Sequence, residues 1–145
     1  MRKQASFSTA ESNGYRLFKQ NCNGCHTEPL FTNGTFQNNG LPIDTTLNDF
    51  GRIKVSNLAA DSLCFKVPTL RNIQYSYPYM HDGRFKSLTQ VILHYNHLEN
   101  NGLLPKELNK PMNLNDHDRV DLVAFLKTLS DPEFLFTPQF GPPKT

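Results

Sequence analysis

The sequence predicts an all-α domain, and three observations favour that fold class. Ser8-Thr9-Ala10-Glu11 and Ser87-Leu88-Thr89-Gln90 each have the spacing of a helix capping box, and Asn115 is a suitable N-cap for a third helix. Residues 27–67, by contrast, contain no stretch that alternates cleanly enough to predict a strand. A chain of 145 residues is long enough for one hydrophobic core and too short for two ordinary ones. We therefore expect one helical domain with long loops.

The three predicted helices are bounded by capping and stop residues. The first extends from Ser8 to Gln20, the second from Ser87 to about His97, and the third from Asn115 to Leu129. Asn100-Asn101-Gly102 is expected to stop the second helix. In the third helix, the residues expected to face inward are Leu122, Val123, Phe125, Leu126 and Leu129.

The second helix has an apolar stripe that includes a tyrosine. The stripe, at positions i, i+3, i+4 and i+7, consists of Leu88, Val91, Ile92 and Tyr95. Tyr95 should therefore point into the core. His94 and His97 lie about 100° and about 200° away from Tyr95 around the helix, so both are expected to be exposed. His117 is expected to be exposed as well.

Two loop regions and a tail complete the predicted layout. Residues 27–67 are expected to form a long loop with one short helical turn near Val55–Leu63. Pro68 is suited to the first position of a further short helix. Because four of the ten prolines lie from Pro132 onward, residues 132–145 are predicted to be an extended tail whose phenylalanines need a surface to rest on. The helical domain is thus predicted to span residues 1–131.

Composition excludes several function classes. The net charge is +2 and charged residues make up 19% of the chain, so no basic surface for nucleic acid is indicated. No run of eighteen apolar residues exists, so no membrane span is predicted. The apolar fraction is only 37%, yet eleven Phe and five Tyr are too many for a disordered chain. A group other than aliphatic side chains is therefore expected in the interior.

The most specific motif in the sequence is Cys22-Asn23-Gly24-Cys25-His26. C-x-x-C-H is the attachment motif of c-type haem, in which two thiols add to the haem vinyl groups and the adjacent imidazole binds the iron. A covalently held porphyrin would also account for the low apolar fraction, because it is itself a large, flat hydrophobic group. We therefore predict one covalent haem c bound by Cys22, Cys25 and His26.

Other interpretations of the cysteines remain open. A thioredoxin-like dithiol needs its cysteine pair at a helix start within a βαβ unit, and no buried strand is predicted before Cys22. A zinc site needs a second pair of ligands, but Cys64 has no Cys or His three or four positions away. A chance match of the motif is the third possibility. Cys64 itself is expected to be a small apolar filler.

The haem prediction carries an expectation about location. Thioether attachment of haem occurs outside the cytoplasm, so the product should be periplasmic or otherwise exported. The opening Met-Arg-Lys-Gln is followed by Ala-Ser-Phe-Ser-Thr-Ala and not by the apolar core of a signal peptide. We therefore expect either that a leader has been removed or that this sequence begins inside a longer protein.

Three separated blocks of sequence resemble a known family. They are Cys22–His26, the segment Phe65–Asn72, and Pro78–Phe85 followed by Ser87-Leu88. Together with the final helix, they resemble the C-terminal, electron-transfer haem domain of the bacterial di-haem cytochrome c peroxidases and their MauG-type relatives, over most of residues 8–131. The resemblance implies a class I cytochrome c-like fold with long loops around a covalently bound haem.

The same resemblance bears on the sixth iron ligand. The peroxidases of this family have a Met at the position of Tyr95, whereas MauG-type members have a Tyr there. Since the helical face also directs Tyr95 inward, we favour Tyr95 as the sixth ligand, with Met80 next and Met112 last. The alternatives are that Tyr95 is an ordinary core residue, that Met80 only packs against the porphyrin, and that His81 is a hydrogen-bonded loop residue and not a ligand.

Ser76, Pro78 and Arg71 are further candidate site residues. Relatives hold a calcium ion partly through backbone carbonyls just before the P-Y-x-H motif, and Ser76-Tyr77-Pro78 occupies that place. We expect Ser76 and Pro78 to form at most a partial calcium site, with an ordinary turn as the alternative. Arg71 could pair with a haem propionate, or it could be a surface residue.

The resemblance implies a function but leaves an alternative. The di-haem enzymes carry a second C-x-x-C-H in an N-terminal domain, where peroxide is thought to react, and this chain has one such motif. We expect the chain to relay electrons, without catalysis of its own, to a second haem domain of a peroxidase-like oxidoreductase. A standalone mono-haem carrier that serves a small redox protein is the alternative, and a haem-free fragment with a structural role is the third hypothesis.

Overall fold

The computed structural model describes residues 6–98 and 104–141 of the chain. Its helices and strands are α1 (Thr9–Asn21), β1 (Phe36–Asn38), α2 (Ile53–Ser56), β2 (Cys64–Lys66), α3 (Leu88–Asn96), α4 (Asp116–Thr128) and α5 (Pro132–Phe136). Four single 3₁₀ turns lie at Ala59–Asp61, Ile73–Tyr75, Lys106–Leu108 and Pro138–Phe140. The all-α prediction is therefore confirmed. No helix in these two ranges is long and apolar enough to cross a membrane.

The three long helices begin at the predicted caps. Ser8, Ser87 and Asn115 each accept a hydrogen bond from the backbone N–H three residues later, and the side chain at that later position accepts one from the cap's own N–H. Each pair thereby satisfies backbone donors that a helix start leaves without partners. The predicted helix ends agree with the observed ones to within one residue. Asn100-Asn101-Gly102, predicted to stop α3, lies outside the described residues.

The first and last long helices cross in direct backbone contact at Gly14. A Cβ added at Gly14 would clash with the Asp121 carbonyl oxygen and would lie 2.8 Å from the Phe125 Cβ. Beside the crossing, the Asn13 side-chain amide donates to the Asp121 carboxylate over 2.6 Å. Only a residue without a side chain allows this close approach of α1 to α4.

The core lies between α1, α3 and α4. Its most buried side chains are Phe18, Leu122 and Phe125, and the rings of Phe18 and Phe125 have centroids 5.2 Å apart. The cluster is completed by Leu17, Tyr79, Leu88, Ile92, Leu114 and Leu126. The predicted inward face of α4 and, on α3, Leu88, Val91 and Ile92 all contribute to or pack against it, so the apolar periodicity identified these residues correctly. Tyr95, predicted on the same stripe of α3, is not part of the cluster.

The predicted long loop of residues 27–67 contains more structure than expected. β1 pairs with β2 in antiparallel register, with Asn38 opposite Cys64. The sequence did not reveal these strands because three residues are too few to show an alternating pattern. The predicted helical turn near Val55–Leu63 is present as α2 and the following 3₁₀ turn.

Two predictions outside that loop were wrong. Pro68 does not begin a helix, because the next helical turn starts only at Ile73. Residues 132–136 are helical, not extended: Pro132 occupies the first turn of α5, and the Asp131 side chain accepts the Phe134 N–H as an N-cap. A proline-rich segment can therefore still form a helix when the proline stands at its start.

Candidate haem site

The turn after α1 brings both thiols and the imidazole together. Cys22 is the C-cap of α1, and its N–H donates to the Phe18 carbonyl over 2.8 Å. The N–H groups of Cys25 and His26 then donate to the Cys22 carbonyl over 3.2 Å and 2.9 Å. This tight turn places the three residues of the motif next to one another at the edge of the core.

The imidazole of His26 is held by two backbone carbonyls. Its Nδ1 lies 3.1 Å from the Phe31 oxygen and 3.1 Å from the Pro68 oxygen. Because both neighbours only accept hydrogen bonds, Nδ1 carries the proton and Nε2 keeps its lone pair for a metal. Burial lowers the pKa of His26, against the two hydrogen bonds that raise it, so the neutral, metal-binding form is favoured.

The protonation of the cysteines argues against a redox dithiol. Burial raises the pKa of Cys22 to about 12, and the negative charge of the Cys25 thiolate contributes to this rise. Burial and the charge of Glu107 also raise the pKa of Cys25. Reactive dithiols of the thioredoxin type instead need a lowered thiol pKa.

Nothing in the described residues supports the zinc interpretation. Within residues 6–98 and 104–141, no group of three or more His, Cys, Asp and Glu side chains is arranged to hold a metal ion. Cys64 is buried, and its thiol donates to the Ala60 carbonyl over 3.6 Å. Its predicted role as a packed, small side chain is therefore confirmed.

Tyr95 lies on the side of α3 that faces the cysteine pair. Burial raises its pKa, and the nearby thiols of Cys22 and Cys25 raise it further when they are ionised. Tyr95 is half-buried and is not part of the core cluster, so its inward position holds only toward the cysteine pair. Its role as an iron ligand stays a prediction.

Met80 occupies the turn that follows the 3₁₀ segment Ile73–Tyr75. Its backbone is left-handed, with φ of 73°. The turn that contains it is closed by the Tyr79 N–H, which donates to the Phe85 carbonyl over 2.7 Å. The Met80 sulfur accepts a hydrogen bond from the Asn39 side-chain amide over 3.5 Å. Asn39 also accepts a hydrogen bond from His94, the residue before Tyr95 on α3, so Met80 and this turn of α3 contact the same residue.

The other candidates for an axial ligand lie in different settings. Met112 packs against the core cluster. The His81 ring stacks on Phe65, with centroids 3.6 Å apart and planes 11° apart. His97 and His117 are exposed as predicted.

The residues linked to calcium and to a propionate lie at the surface. Arg71, Ser76 and Pro78 are all exposed. The Ser76 hydroxyl donates to the Ile73 carbonyl over 3.2 Å, which closes the turn before Pro78. The roles suggested for these three residues stay predictions.

Several residues of this region have partners that the sequence does not predict. His94, predicted to be exposed, is half-buried because its Nε2 donates to the Asn39 carbonyl over 2.9 Å. The carbonyls of Phe31 and Pro68 were also not anticipated as partners of His26. No sequence pattern identifies them, because every residue carries a backbone carbonyl and only the fold decides which one reaches the ring.

The donor set fits a covalently attached haem. Two thiols and an imidazole follow one another in one turn, the imidazole is oriented through Nδ1, and a phenol faces them from α3. Cys22, Cys25 and His26 are therefore the residues that could hold the group.

Comparison with known proteins agrees with this geometry. The family model for cytochrome c matches residues 11–130. Cytochrome c551 peroxidase from Nitrosomonas europaea is 39% identical over an alignment of 129 residues. That alignment covers 86% of this chain and 36% of the peroxidase. The methylamine utilization protein MauG from Methylorubrum extorquens is 39% identical over an alignment of 132 residues, which covers 87% of this chain and 36% of MauG.

A solved structure shares the fold over nearly the whole chain. It is that of a MauG-like protein associated with microbial copper homeostasis, with a TM-score of 0.85 and 29% sequence identity. The match covers 97% of this chain and 53% of that one. This chain thus spans about a third of the curated relatives and about half of the solved structure. It belongs to the cytochrome c family, whose domains carry covalently attached haem, and its relatives are cytochrome c peroxidases and MauG proteins.

Proposed function

We propose that this chain is the electron-transfer haem domain of a longer, di-haem oxidoreductase of the cytochrome c peroxidase and MauG type. The observation that carries the proposal is His26, whose Nδ1 is fixed by two carbonyls while both cysteines lie in the same turn. The bound haem supplies an iron that changes between its ferric and ferrous states. Cys22 and Cys25 hold the porphyrin, and His26 gives its Nε2 to the iron.

Tyr95 fills the opposite axial position in this proposal. The orientation of α3 supports it, since Tyr95 faces the cysteine pair. A phenolate is a hard anionic donor that stabilises ferric iron and lowers the reduction potential relative to a neutral thioether such as Met80. With both axial positions filled, the site favours electron transfer over peroxide binding.

The remaining roles follow from the family resemblance. Arg71 pairs with a haem propionate, and the carbonyls of Ser76 and Pro78 contribute to a partial calcium site. The partner is a second haem domain of the same enzyme, in which peroxide is reduced. Because thioethers are formed outside the cytoplasm, the protein works in the periplasm or in another exported location.

Haem attachment is tested by expressing the chain in a host with cytochrome c maturation. We expect a pyridine haemochrome spectrum of c type and a mass that exceeds that of the polypeptide by one haem. Cys22→Ser with Cys25→Ser should abolish the covalent adduct. Cys64→Ala is the matched control, since Cys64 lies outside the motif, and it should retain the adduct. A wild-type chain with only the polypeptide mass would contradict the proposal.

The axial ligand is tested with Tyr95→Phe. The ferric spectrum should lose its phenolate character, and the reduction potential should rise. Tyr77→Phe is a matched control because Tyr77 is 68% exposed, and its spectrum should equal that of the wild type. An unchanged spectrum in Tyr95→Phe would remove Tyr95 from the iron.

The electron-relay role is tested with peroxide. The haem-loaded chain should exchange electrons with small redox mediators and should not turn over hydrogen peroxide. Peroxide turnover by the isolated chain would contradict the relay. If the haem-loaded chain exchanges electrons with a small redox protein in the absence of any second haem domain, the mono-haem alternative is favoured instead.

A further inference from the structure

Asn39 lies between the two side chains considered for the sixth iron position. It directly follows β1 and is half-buried. Its amide nitrogen donates to the Met80 sulfur over 3.5 Å. Its backbone carbonyl accepts a hydrogen bond from Nε2 of His94, the residue before Tyr95 on α3, over 2.9 Å. Asn39 thus contacts Met80 directly and contacts α3 at the residue next to Tyr95.

Asn39 is itself fixed by hydrogen bonds on both sides. Its side-chain oxygen accepts the Leu41 N–H over 3.3 Å. Its backbone carbonyl accepts His94 Nε2 over 2.9 Å, and His94 is adjacent to Tyr95 on α3. The strand that precedes Asn39 is anchored in turn by the pairing of β1 with β2. The amide is therefore held at a defined position relative to the helix that carries Tyr95.

Met80 depends on this amide for its direction. Its backbone is in the left-handed region, with φ of 73°, which is unfavourable for a residue with a side chain. A thioether sulfur that accepts a hydrogen bond also shares a lone pair that it would otherwise offer to a metal, so the bond from Asn39 weakens Met80 as a competing ligand.

We propose that Asn39 is a positioning residue that leaves the sixth iron position to Tyr95, because its hydrogen bond to the Met80 sulfur keeps that sulfur from the iron. This inference rests on the proposed function, in which His26 and Tyr95 are the axial ligands. Loss of the Asn39 amide should therefore release Met80 to compete for the iron.

The test is a mutant cycle on the full, haem-loaded chain: wild type, Asn39→Leu, Met80→Leu and the double variant. The measurements are ferric electron paramagnetic resonance, near-infrared magnetic circular dichroism and the midpoint potential. Asn39→Leu should show a second, thioether-ligated ferric population and a raised midpoint potential. Met80→Leu alone should retain the wild-type signature. The double variant should lose the second population, because no thioether remains in that turn.

A second variant keeps the test valid if Asn39→Leu does not fold. Asn39→Asp removes the amide donor but keeps the oxygen that accepts the Leu41 N–H, and its carboxylate also disfavours a phenolate nearby. It should therefore show the same second population. Gln139→Leu, at an exposed position in the tail, is the matched control and should leave every measurement unchanged.

The possible results separate this inference from the proposed function. Spectra and potentials that are unchanged in both Asn39 variants of a haem-loaded chain overturn the inference alone. A second population that persists in the double variant also overturns it, because the effect then does not pass through Met80. A wild-type chain without haem, or one whose spectrum survives Tyr95→Phe, overturns the proposed function and this inference with it.

Discussion

At the scale of single residues, the ion pair of Asp82 and Arg84 joins a buried carboxylate to a partly buried guanidinium. The side chain of Asp82 is 2% exposed, and its Oδ2 accepts a hydrogen bond from Arg84 Nε over 2.7 Å. Arg84 also donates to the Pro42 carbonyl over 3.0 Å. Burial alone would raise the pKa of Asp82, but the hydrogen bonds and charge of Arg84 outweigh it, so the pKa is lowered.

Arg84→Met should destabilise the haem-loaded protein by about 3 kcal/mol at pH 7, because it leaves a buried carboxylate without its partner. Thermal unfolding at several pH values measures this. In the wild type, the lowered pKa stabilises the fold above about pH 4, the pKa of an unfolded Asp, and this contribution is lost as the pH falls through the folded pKa.

In Arg84→Met the pKa of Asp82 should instead be raised, so the variant loses stability as the pH increases. The difference between the two proteins should therefore shrink when the pH is lowered from 7 toward 4. Arg16→Met, on the exposed face of α1, serves as the control and should stay close to the wild type. A difference that is independent of pH would show that the ion pair is not its cause.

At the scale of elements, the crossing of α1 and α4 depends on the absence of a side chain at Gly14. Gly14→Ala should lower the free energy of unfolding by about 1–3 kcal/mol, since its Cβ would meet the backbone of α4 and the helices would have to separate. Chemical denaturation measures the change. Ser12→Ala, exposed on the same helix, should have no such cost, and a stable Gly14→Ala would contradict the close crossing.

The start of α3 matters because this helix carries Tyr95. Ser87→Ala removes the cap oxygen that accepts the Gln90 N–H, and it should cost about 1 kcal/mol. For a domain of this size the unfolding midpoint should fall by roughly 3 °C. Thr89→Ala, exposed within α3, is the matched control. Equal melting of the two variants would argue that the capping box contributes little.

At the scale of the whole molecule, residues 1–131 are predicted to fold and to bind haem without the rest. α5 contains no buried residue, and Phe134 and Phe136 are 54% and 67% exposed. Phe136 contacts the edge of Tyr75 with ring centroids 5.6 Å apart. The bonds of Asn72 to Leu129 and Asp131 stay intact in a chain that ends at Asp131.

Truncation after Asp131 should therefore leave the haem spectrum unchanged and lower the free energy of unfolding by less than about 1 kcal/mol, because only exposed contacts are removed. Spectra and thermal melting of the haem-loaded protein measure both. Truncation after Asp121, which removes Leu122 and Phe125 from the core, should abolish folding. Loss of haem from the chain that ends at Asp131 would show that the tail belongs to the domain.

The sequence by itself determined the helices, their caps, the inward faces of α3 and α4 and the three-residue haem motif. All of these depend on residues within about seven positions of one another, so their spacing is visible in the printed sequence. The short strands could not be predicted in this way, and neither could the helical start of the tail.

Only the tertiary structure decided what surrounds the motif. His26 is oriented by a carbonyl five residues away and by another 42 residues away. Asn39 reaches Met80 across 41 positions and His94 across 55. Such contacts leave no local pattern, because a backbone carbonyl is present at every residue and a loop asparagine looks like any other. Which of them meets the site is fixed by how α1, α3 and the paired strands pack together.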